Sequence, residues 1–252
     1  MEIYSHSRLS VFEQCSLKFK YKYIEKIPEL EQKIETYLGK MVHSTLEWLY
    51  SKIGEKQVPT IDEMIIYYTK KWGDDYNPEK IIIKKQSAKD FFNKGIQFLI
   101  NYYMKNRPFD DNTIGIEKEI MVKLDTDGKY KIRGFIDRLV YNEKKRIIEI
   151  HDYKTSANLP TREAIENDRQ LGLYSAAIKE LFGKEEEILL TWHYLAHNIK
   201  IYSKRTNDQL SQLKNETLEL IKKIEATTEF RANKGSHCNW CEYKSICSAW
   251  KN

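Results

Sequence analysis

Residues 131–156 read KIRGFIDRLVYNEKKRIIEIHDYKTS, and the fold follows from this stretch. Apolar and polar side chains alternate over residues 129–141, which predicts one strand, and a second apolar strand is predicted over residues 146–154. Turn-forming residues lie between the two. The sequence therefore predicts a β-hairpin with one acidic residue on each strand, Asp137 and Asp152.

Carboxylates in an apolar sheet cost free energy unless they are paired or bind a cation. A divalent ion such as Mg²⁺ takes one or two carboxylates and keeps several waters. Lys154 lies two residues after Asp152, so both side chains share one face of the strand. A metal-binding acid beside an ammonium suits phosphate chemistry, whereas an ordinary salt-bridged hairpin is the alternative that these residues leave open.

Further motifs accompany the D-x14-D-Y-K pattern of the hairpin. In chain order they are Ser7-Arg8-Leu9 with Phe12 and Cys15, Gly39-x-x-x-His43, Gly134-Phe135-Ile136-Asp137, Gln170-x-x-x-Tyr174 and Cys238-x2-Cys241-x5-Cys247. Together they resemble the PD-(D/E)XK nuclease superfamily, and in particular its RecB-like branch with an iron–sulfur cluster. That branch includes the nuclease domain of the AddAB helicase–nuclease B subunit and the RecB-like CRISPR-adaptation nucleases.

The resemblance implies an α/β fold with a restriction-endonuclease-like core, in which helices flank a mixed central sheet. We expect one nuclease domain over residues 1–252, with a helical insertion at about 60–107 and a cluster-binding segment at 230–252 that closes onto Cys15. Periodicity predicts helices over residues 5–27, 34–52, 160–182 and 207–227, two helices within 60–107, a strand over 114–124 and a strand pair or one long bent strand over 186–204.

The resemblance also implies a catalytic site. Its metal, Mn²⁺ or Mg²⁺, is expected on His43, Asp137, Asp152 and the backbone carbonyl of Tyr153, and an imidazole ligand favours Mn²⁺. Lys154 would orient the attacking water, while Gln170 and Tyr174, which share a helix face, would position DNA and support Lys154. Glu117 or Glu119 on the preceding strand is a further candidate, although a solvent-facing salt bridge is equally compatible with each.

Four cysteines without an export signal argue against a disulfide framework and for a metal site. Four thiolates suit Zn²⁺ or an iron–sulfur cluster. The family resemblance implies a [4Fe-4S] cluster, with zinc or unligated thiols as the alternative; its ligands would be Cys15, Cys238, Cys241 and Cys247. Three aromatic residues of the last segment are expected to shield the cluster from water: Trp240, Tyr243 and Trp250.

The 252 residues are 41% hydrophobic and 31% charged, with a net charge of +5. No run of about 18 apolar residues and no signal-peptide pattern occurs, so we expect a cytoplasmic protein. The weak net charge permits nucleic-acid binding without requiring it. We expect DNA contacts from Arg8, Lys18 and Arg169; near Lys18, lysines alternate with aromatic residues, which a core stripe with a solvated lysine face explains equally well.

These inferences predict a metal-dependent DNA nuclease, an exonuclease acting on single strands or free ends and leaving 5′-phosphates. Since no GxxxxGK[ST] motif occurs, any helicase motor must be a separate partner. A CRISPR-adaptation complex is the other expected partner. Two alternatives remain open: a non-catalytic DNA-end-binding module within such a complex, and a zinc-bound structural protein.

Overall fold

A computed structural model describes residues 3–29, 31–84, 86–183 and 187–250 of the chain. Its eight strands are β1 Ile3–Tyr4, β2 Gln32–Lys33, β3 Ile81–Ile82, β4 Thr113–Lys123, β5 Lys131–Asn142, β6 Ile147–Lys154, β7 Ile188–Tyr194 and β8 Ile199–Ser203. Its α-helices are α1 His6–Gln14, α2 Ser16–Phe19, α3 Ile34–Gly54, α4 Ile61–Asp75, α5 Ala88–Asn106, α6 Arg162–Glu166, α7 Arg169–Phe182 and α8 Asn207–Ala226. A π-helical turn, Lys20–Ile24, continues α2, and two 3₁₀ turns cover Leu195–His197 and Ser236–Trp240. None of the helices in the described ranges has the length and apolar character to span a bilayer.

Six strands form one mixed sheet, while β2 and β3 form a small parallel pair of their own. The predicted hairpin of β5 and β6 is confirmed, and its strands pair antiparallel. Beyond it, β7 runs parallel to β6, and β8 returns antiparallel to β7. On the other edge of β5, β4 pairs along nearly its whole length. The predicted mixed α/β architecture with flanking helices is thus confirmed.

Two hydrophobic clusters lie against the sheet, one on each face. The first cluster joins the sheet to α1, α7 and α8 through residues such as Leu9, Ile178 and Ile221. The second joins α3, α4 and α5 to the other face, where the Tyr153 ring of β6 lies against His43 of α3 and Tyr102 of α5. Of the helices predicted within residues 60–107, α5 therefore packs on the sheet directly through Tyr102, beside α3.

Helix starts follow from capping residues that the sequence carries. Ser5 accepts a hydrogen bond from the Arg8 amide at the start of α1. Reciprocal capping boxes begin α4, α5 and α8, with Thr60 and Thr206 as two of the cap residues. Each box satisfies two backbone donors that a helix end otherwise leaves unpaired.

Two predicted helices are interrupted in the structure. The helix predicted over residues 5–27 breaks at Cys15, whose extended backbone has φ −163° and ψ 111°. The helix predicted over 160–182 starts at Arg162 and is divided at Asn167, after which Asp168 caps α7. Both breaks place side chains where a continuous helix would not: Cys15 turns toward the carboxyl-terminal segment, and α7 presents Gln170 toward β6.

Candidate functional site

The two acidic residues of the hairpin lie where β5 and β6 separate. The last hydrogen-bonded pair joins Arg138 to His151, so Asp137 and Asp152 occupy the next facing positions. Beyond that pair, the backbone N–H of Tyr153 donates a hydrogen bond of 2.8 Å to Asp137 Oδ2 instead of to a backbone carbonyl. Asp137 lies in the middle of β5, just beyond the segment of β5 that pairs with β6.

Helix α3 brings His43 to the point where β5 and β6 separate, which we call the fork. A Cβ atom on Gly39, one turn earlier, would lie 3.2 Å from Thr155 Oγ1, so the glycine permits a close approach of α3 to the end of β6. His43 Nε2 donates to the Tyr153 carbonyl at 2.7 Å, and Nδ1 lies 3.4 Å from Asp137 Oδ2. Burial opposes the charged imidazole, but the hydrogen bond and the charge of Asp137 raise the pKa of His43 to about 9.

Strand β4 adds Glu117 to the same point. The ligand atoms of His43, Glu117 and Asp137 all lie within 4.8 Å of one another. Burial, together with the charges of Asp137 and Glu47, raises the pKa of Glu117 to about 7. Of the two glutamates that the sequence left open, Glu117 faces the acidic pair. Glu47 was not predicted; its position one helical turn after His43 was the available signal.

Asp152 and Lys154 form an ion pair of 2.7 Å beside this group, and Asp152 is 8% exposed. Burial, with the neighbouring charge of Asp137, raises the pKa of Asp152 to about 6 against the opposing effect of Lys154. The pKa of Lys154 is raised as well, because Asp152 outweighs the desolvation of the ammonium. Lys154 therefore stays charged near neutral pH.

The Gln170–Tyr174 pair extends from Lys154. Lys154 Nζ donates to Gln170 Oε1 at 3.3 Å, and Gln170 Nε2 donates to the Tyr174 hydroxyl at 3.3 Å. The Tyr174 ring packs on Gly134 of β5, where a Cβ atom would lie only 2.2 Å from Tyr174 Cε1. A chain of contacts thus ties the lysine through α7 back to β5.

The four cysteines come together at one small cavity. The break at Cys15 brings this residue to Cys238, Cys241 and Cys247. Tyr243 and Trp250 line the same cavity, whereas Trp240, also predicted to shield it, instead lies under the Lys84 ammonium at 4.0 Å. Burial raises the pKa of the Cys241 thiol.

The three predicted DNA contacts all have partners within the chain. Lys18 pairs with Glu242 at 2.6 Å and is 12% exposed, and Arg169 pairs with Glu13. The guanidinium of Arg8 lies over the Tyr4 ring at 4.5 Å. Their role in DNA binding stays a prediction, and binding DNA through Lys18 or Arg169 would require exchange of these ion pairs.

One buried network was missed by the sequence analysis. Arg138 is only 1% exposed and donates from Nε to the Tyr153 hydroxyl at 3.1 Å. Its other nitrogens contact Asp111 and His151, and His151 Nδ1 lies 2.8 Å from His193 Nε2. Burial lowers the pKa values of both histidines well below the ordinary value. An arginine in an alternating strand gave no sign of burial.

Comparisons with known proteins give one family match and similar solved structures. The family model of the PD-(D/E)XK nuclease superfamily matches residues 3–248. No curated protein matches the chain. A solved structure of a candidate exonuclease from Eubacterium rectale is similar in fold, with a TM-score of 0.53, 11% identity and coverage of 99% of this chain and 87% of that one. The structure of the protein SSO0001 aligns over 94% of this chain and 96% of its own, at 16% identity and a TM-score of 0.40.

The family match spans nearly the whole length of the chain. This chain therefore belongs to the PD-(D/E)XK nuclease superfamily.

Proposed function

We propose that the chain is a divalent-metal-dependent DNA nuclease of the RecB-like branch, which hydrolyses phosphodiester bonds at the fork between β5 and β6. The observation that carries this proposal is the convergence of His43, Asp137 and the Tyr153 carbonyl beside the Asp152–Lys154 pair. Family membership supports the nuclease chemistry, and the geometry supports this place for it.

The donor set fits a divalent cation. Two oxygen donors and one imidazole, from Glu117, Asp137 and His43, already lie within 4.8 Å of one another. We assign His43, Asp137, Asp152 and the Tyr153 carbonyl as ligands, with Glu117 as an additional candidate. The imidazole favours Mn²⁺ over Mg²⁺. A bound cation would polarise the phosphoryl oxygen and lower the pKa of its water.

Lys154 has the second role in this proposal. Its ammonium is held between Asp152 and Gln170, which leaves it charged and fixed in direction. From there it would orient the attacking water and stabilise negative charge that develops on the phosphate in the transition state. Gln170 and Tyr174 act through Lys154, since their hydrogen bonds hold it in place.

We further propose a [4Fe-4S] cluster on the four cysteines. Their chemistry fits, because thiolates hold such clusters and the four residues line a single cavity with apolar aromatic neighbours. The cluster would tie Cys15 to the carboxyl-terminal segment and so stabilise one nuclease domain built from both ends of the chain, as metal sites that form on folding do.

The substrate that we propose is single-stranded DNA or DNA with a free end, cut to leave 5′-phosphates. The protein would act in the cytoplasm beside a separate helicase or within a CRISPR-adaptation complex. This part of the proposal rests on the resemblance of the sequence motifs to the RecB-like branch.

The test is cleavage of end-labelled single-stranded DNA by anaerobically purified protein with Mn²⁺. Lys154→Ala should lower the rate about 100-fold or more, as loss of a transition-state donor does. Lys144→Ala, an exposed lysine in the hairpin turn, is the matched control and should cleave like the wild type. Equal rates for both variants would refute the assignment of Lys154, and DNA binding without cleavage by the wild type would indicate a non-catalytic binding module.

A further inference from the structure

The hairpin of β4 and β5 has one buried and one open face. Ile120, Val122 and Ile132 lie in the first hydrophobic cluster. The alternate residues face away from it, and the cross-strand pairs on that side are Glu119 with Phe135, Met121 with Arg133, and Lys123 with Lys131. We call these six residues the open ribbon face.

Two large apolar side chains on this face are exposed to solvent. Phe135 is 45% exposed and Met121 is 37% exposed. Ile3 of β1, which is paired with Lys131 at the edge of the same sheet, is 46% exposed. Scattered exposed apolar residues are ordinary, but neighbours on one strand pair form a patch, and such patches mark binding surfaces.

The charges around this patch are mainly positive. Lys123, Lys131 and Arg133 belong to the ribbon, and within the described ranges no ion pair engages any of them. The Arg133 guanidinium lies 6.0 Å from the centre of the Phe135 ring. Glu119 is the acidic member, and it lies at the end of the ribbon nearest the metal-binding acids. An aromatic ring flanked by cations fits a strand with π-faced bases and a phosphate backbone.

The open ribbon face leads directly into the candidate catalytic site. Asp137 lies two residues beyond Phe135 on β5, and Glu117 lies two residues before Glu119 on β4; their ligand atoms lie within 4.8 Å of each other and of His43. At about 3.3 Å per residue, the row from Asp137 to Lys131 is about 20 Å long. That length matches about six nucleotides at a 3.4 Å rise, and fewer in a stretched strand.

We propose that the open ribbon face is the track along which the single-stranded DNA substrate enters the site. Phe135 stacks on a base next to the scissile phosphate, and Arg133, Lys123 and Lys131 contact the phosphates farther from the metal. The proposal rests on the nuclease function proposed above and adds the surface that holds the substrate. Charge complementarity and continuity with the catalytic acids favour DNA over a protein partner on this face.

Equilibrium binding tests the track separately from cleavage. Fluorescence anisotropy of a labelled 12-nucleotide single strand is measured in EDTA with the intact chain, and cleavage of the same strand is measured with Mn²⁺. The variants are Phe135→Ala and the triple change Lys123→Gln/Lys131→Gln/Arg133→Gln. Their matched controls are Ile66→Ala, an exposed apolar residue on α4, and Lys144→Gln. Circular dichroism verifies that each variant folds.

Phe135→Ala should weaken binding roughly 5- to 150-fold, the loss that one stacked base produces. The triple variant should reduce the slope of log K against log salt by about 2, because each lost phosphate contact on a single strand contributes about 0.7. Both should cleave a 12-nucleotide strand more slowly than the controls do at limiting DNA concentration.

If the wild type binds and cleaves while the ribbon variants bind like the controls, the track is refuted and the nuclease remains. The same holds if the variants lose cleavage but keep wild-type binding, or if the face proves to hold another protein. If the wild type neither binds nor cleaves the strand, the nuclease proposal fails, and the track fails with it.

Discussion

The backbone N–H of Tyr153 donates to Asp137 Oδ2 at 2.8 Å, so an acidic side chain takes the place of a ladder partner where β5 and β6 separate. The carbonyl of the same residue accepts from His43 Nε2. Tyr153 therefore presents backbone groups to two proposed metal ligands, while its phenol is anchored to Arg138 and lies 3.1 Å from the Tyr102 hydroxyl.

This arrangement predicts that Tyr153→Phe lowers both stability and cleavage. The change removes the acceptor of the buried Arg138 Nε, which costs about 1–3 kcal/mol when the donor remains unpaired. Tyr103→Phe, which loses a buried hydrogen bond to the Pro59 carbonyl far from the fork, is the control. Urea unfolding should show a lower free energy of unfolding for both variants. The rate of Mn²⁺-dependent cleavage should be lower for Tyr153→Phe. Equal cleavage by the two variants would argue against a positioning role for the phenol.

Gly134→Ala should destabilise the protein by about 1–3 kcal/mol, since the added methyl group would overlap the Tyr174 ring. Displacing that ring also breaks its hydrogen bond with Gln170, so cleavage should decrease. Gly73→Ala meets no atom within 4 Å on α4 and should be neutral or stabilising by up to about 1 kcal/mol. Chemical denaturation measures both changes, and a neutral Gly134→Ala would contradict the observed packing.

The contribution of His193 to the stability of the protein should decrease as the pH falls from about 7 toward 5. The pKa of His193 is lowered below 6.5 by burial, so the unfolded chain binds a proton there that the native chain does not. The contribution of His193 is therefore fully present above pH 6.5. Below that pH it is lost, at up to about 1.4 kcal/mol per pH unit for one histidine.

His193→Gln isolates this contribution from that of the acidic groups, whose raised pKa values act in the opposite direction. Its unfolding free energy should depend on pH less steeply than that of the wild type over the same range. His197→Gln, an exposed histidine, should keep the wild-type slope. An unchanged slope in His193→Gln would mean that this histidine is protonated in the native state.

Cys15→Ser should abolish broad absorbance near 400 nm in anaerobically purified protein and lower its melting temperature. The cysteine joins the two ends of the chain at one cavity, so its loss releases the carboxyl-terminal segment. Iron and sulfide analysis accompanies the spectrum. If the wild-type protein is colourless and contains zinc, the four cysteines form a zinc site and not a cluster. If it contains no metal, the four cysteines are free thiols.

The sequence predicted the central hairpin because alternation and turn residues are local signals. It also predicted the convergence of His43 and Lys154 with the two acids, through the resemblance to a known family. The short strand β1 and the pair of β2 and β3 were missed, since two residues show no period. The break at Cys15 was missed because no proline or glycine marks it; long-range contacts, including one from Ser16 to Arg231, accompany it.

The sequence also did not predict contacts between segments that lie far apart along the chain. Glu117 and Glu119 lie on the same side of a regular strand, so periodicity could not choose between them. Glu117 has a positive φ of 43° and approaches the helix that carries His43. Lys18 forms an ion pair with Glu242, near the opposite end of the chain. Such ion pairs depend on the folded arrangement, not on spacing along the sequence.

The most direct test of the catalytic site is Mn²⁺-dependent cleavage of end-labelled single-stranded DNA by the wild type and by Asp152→Asn, under anaerobic conditions. The substitution keeps the shape of the side chain and removes the charge that holds Lys154 and would bind the cation. We predict cleavage by the wild type and a rate at least about 100-fold lower for the variant, with unchanged folding. Equal cleavage by the two proteins, or none by the wild type with Mn²⁺ and Mg²⁺ both tried, would contradict the account.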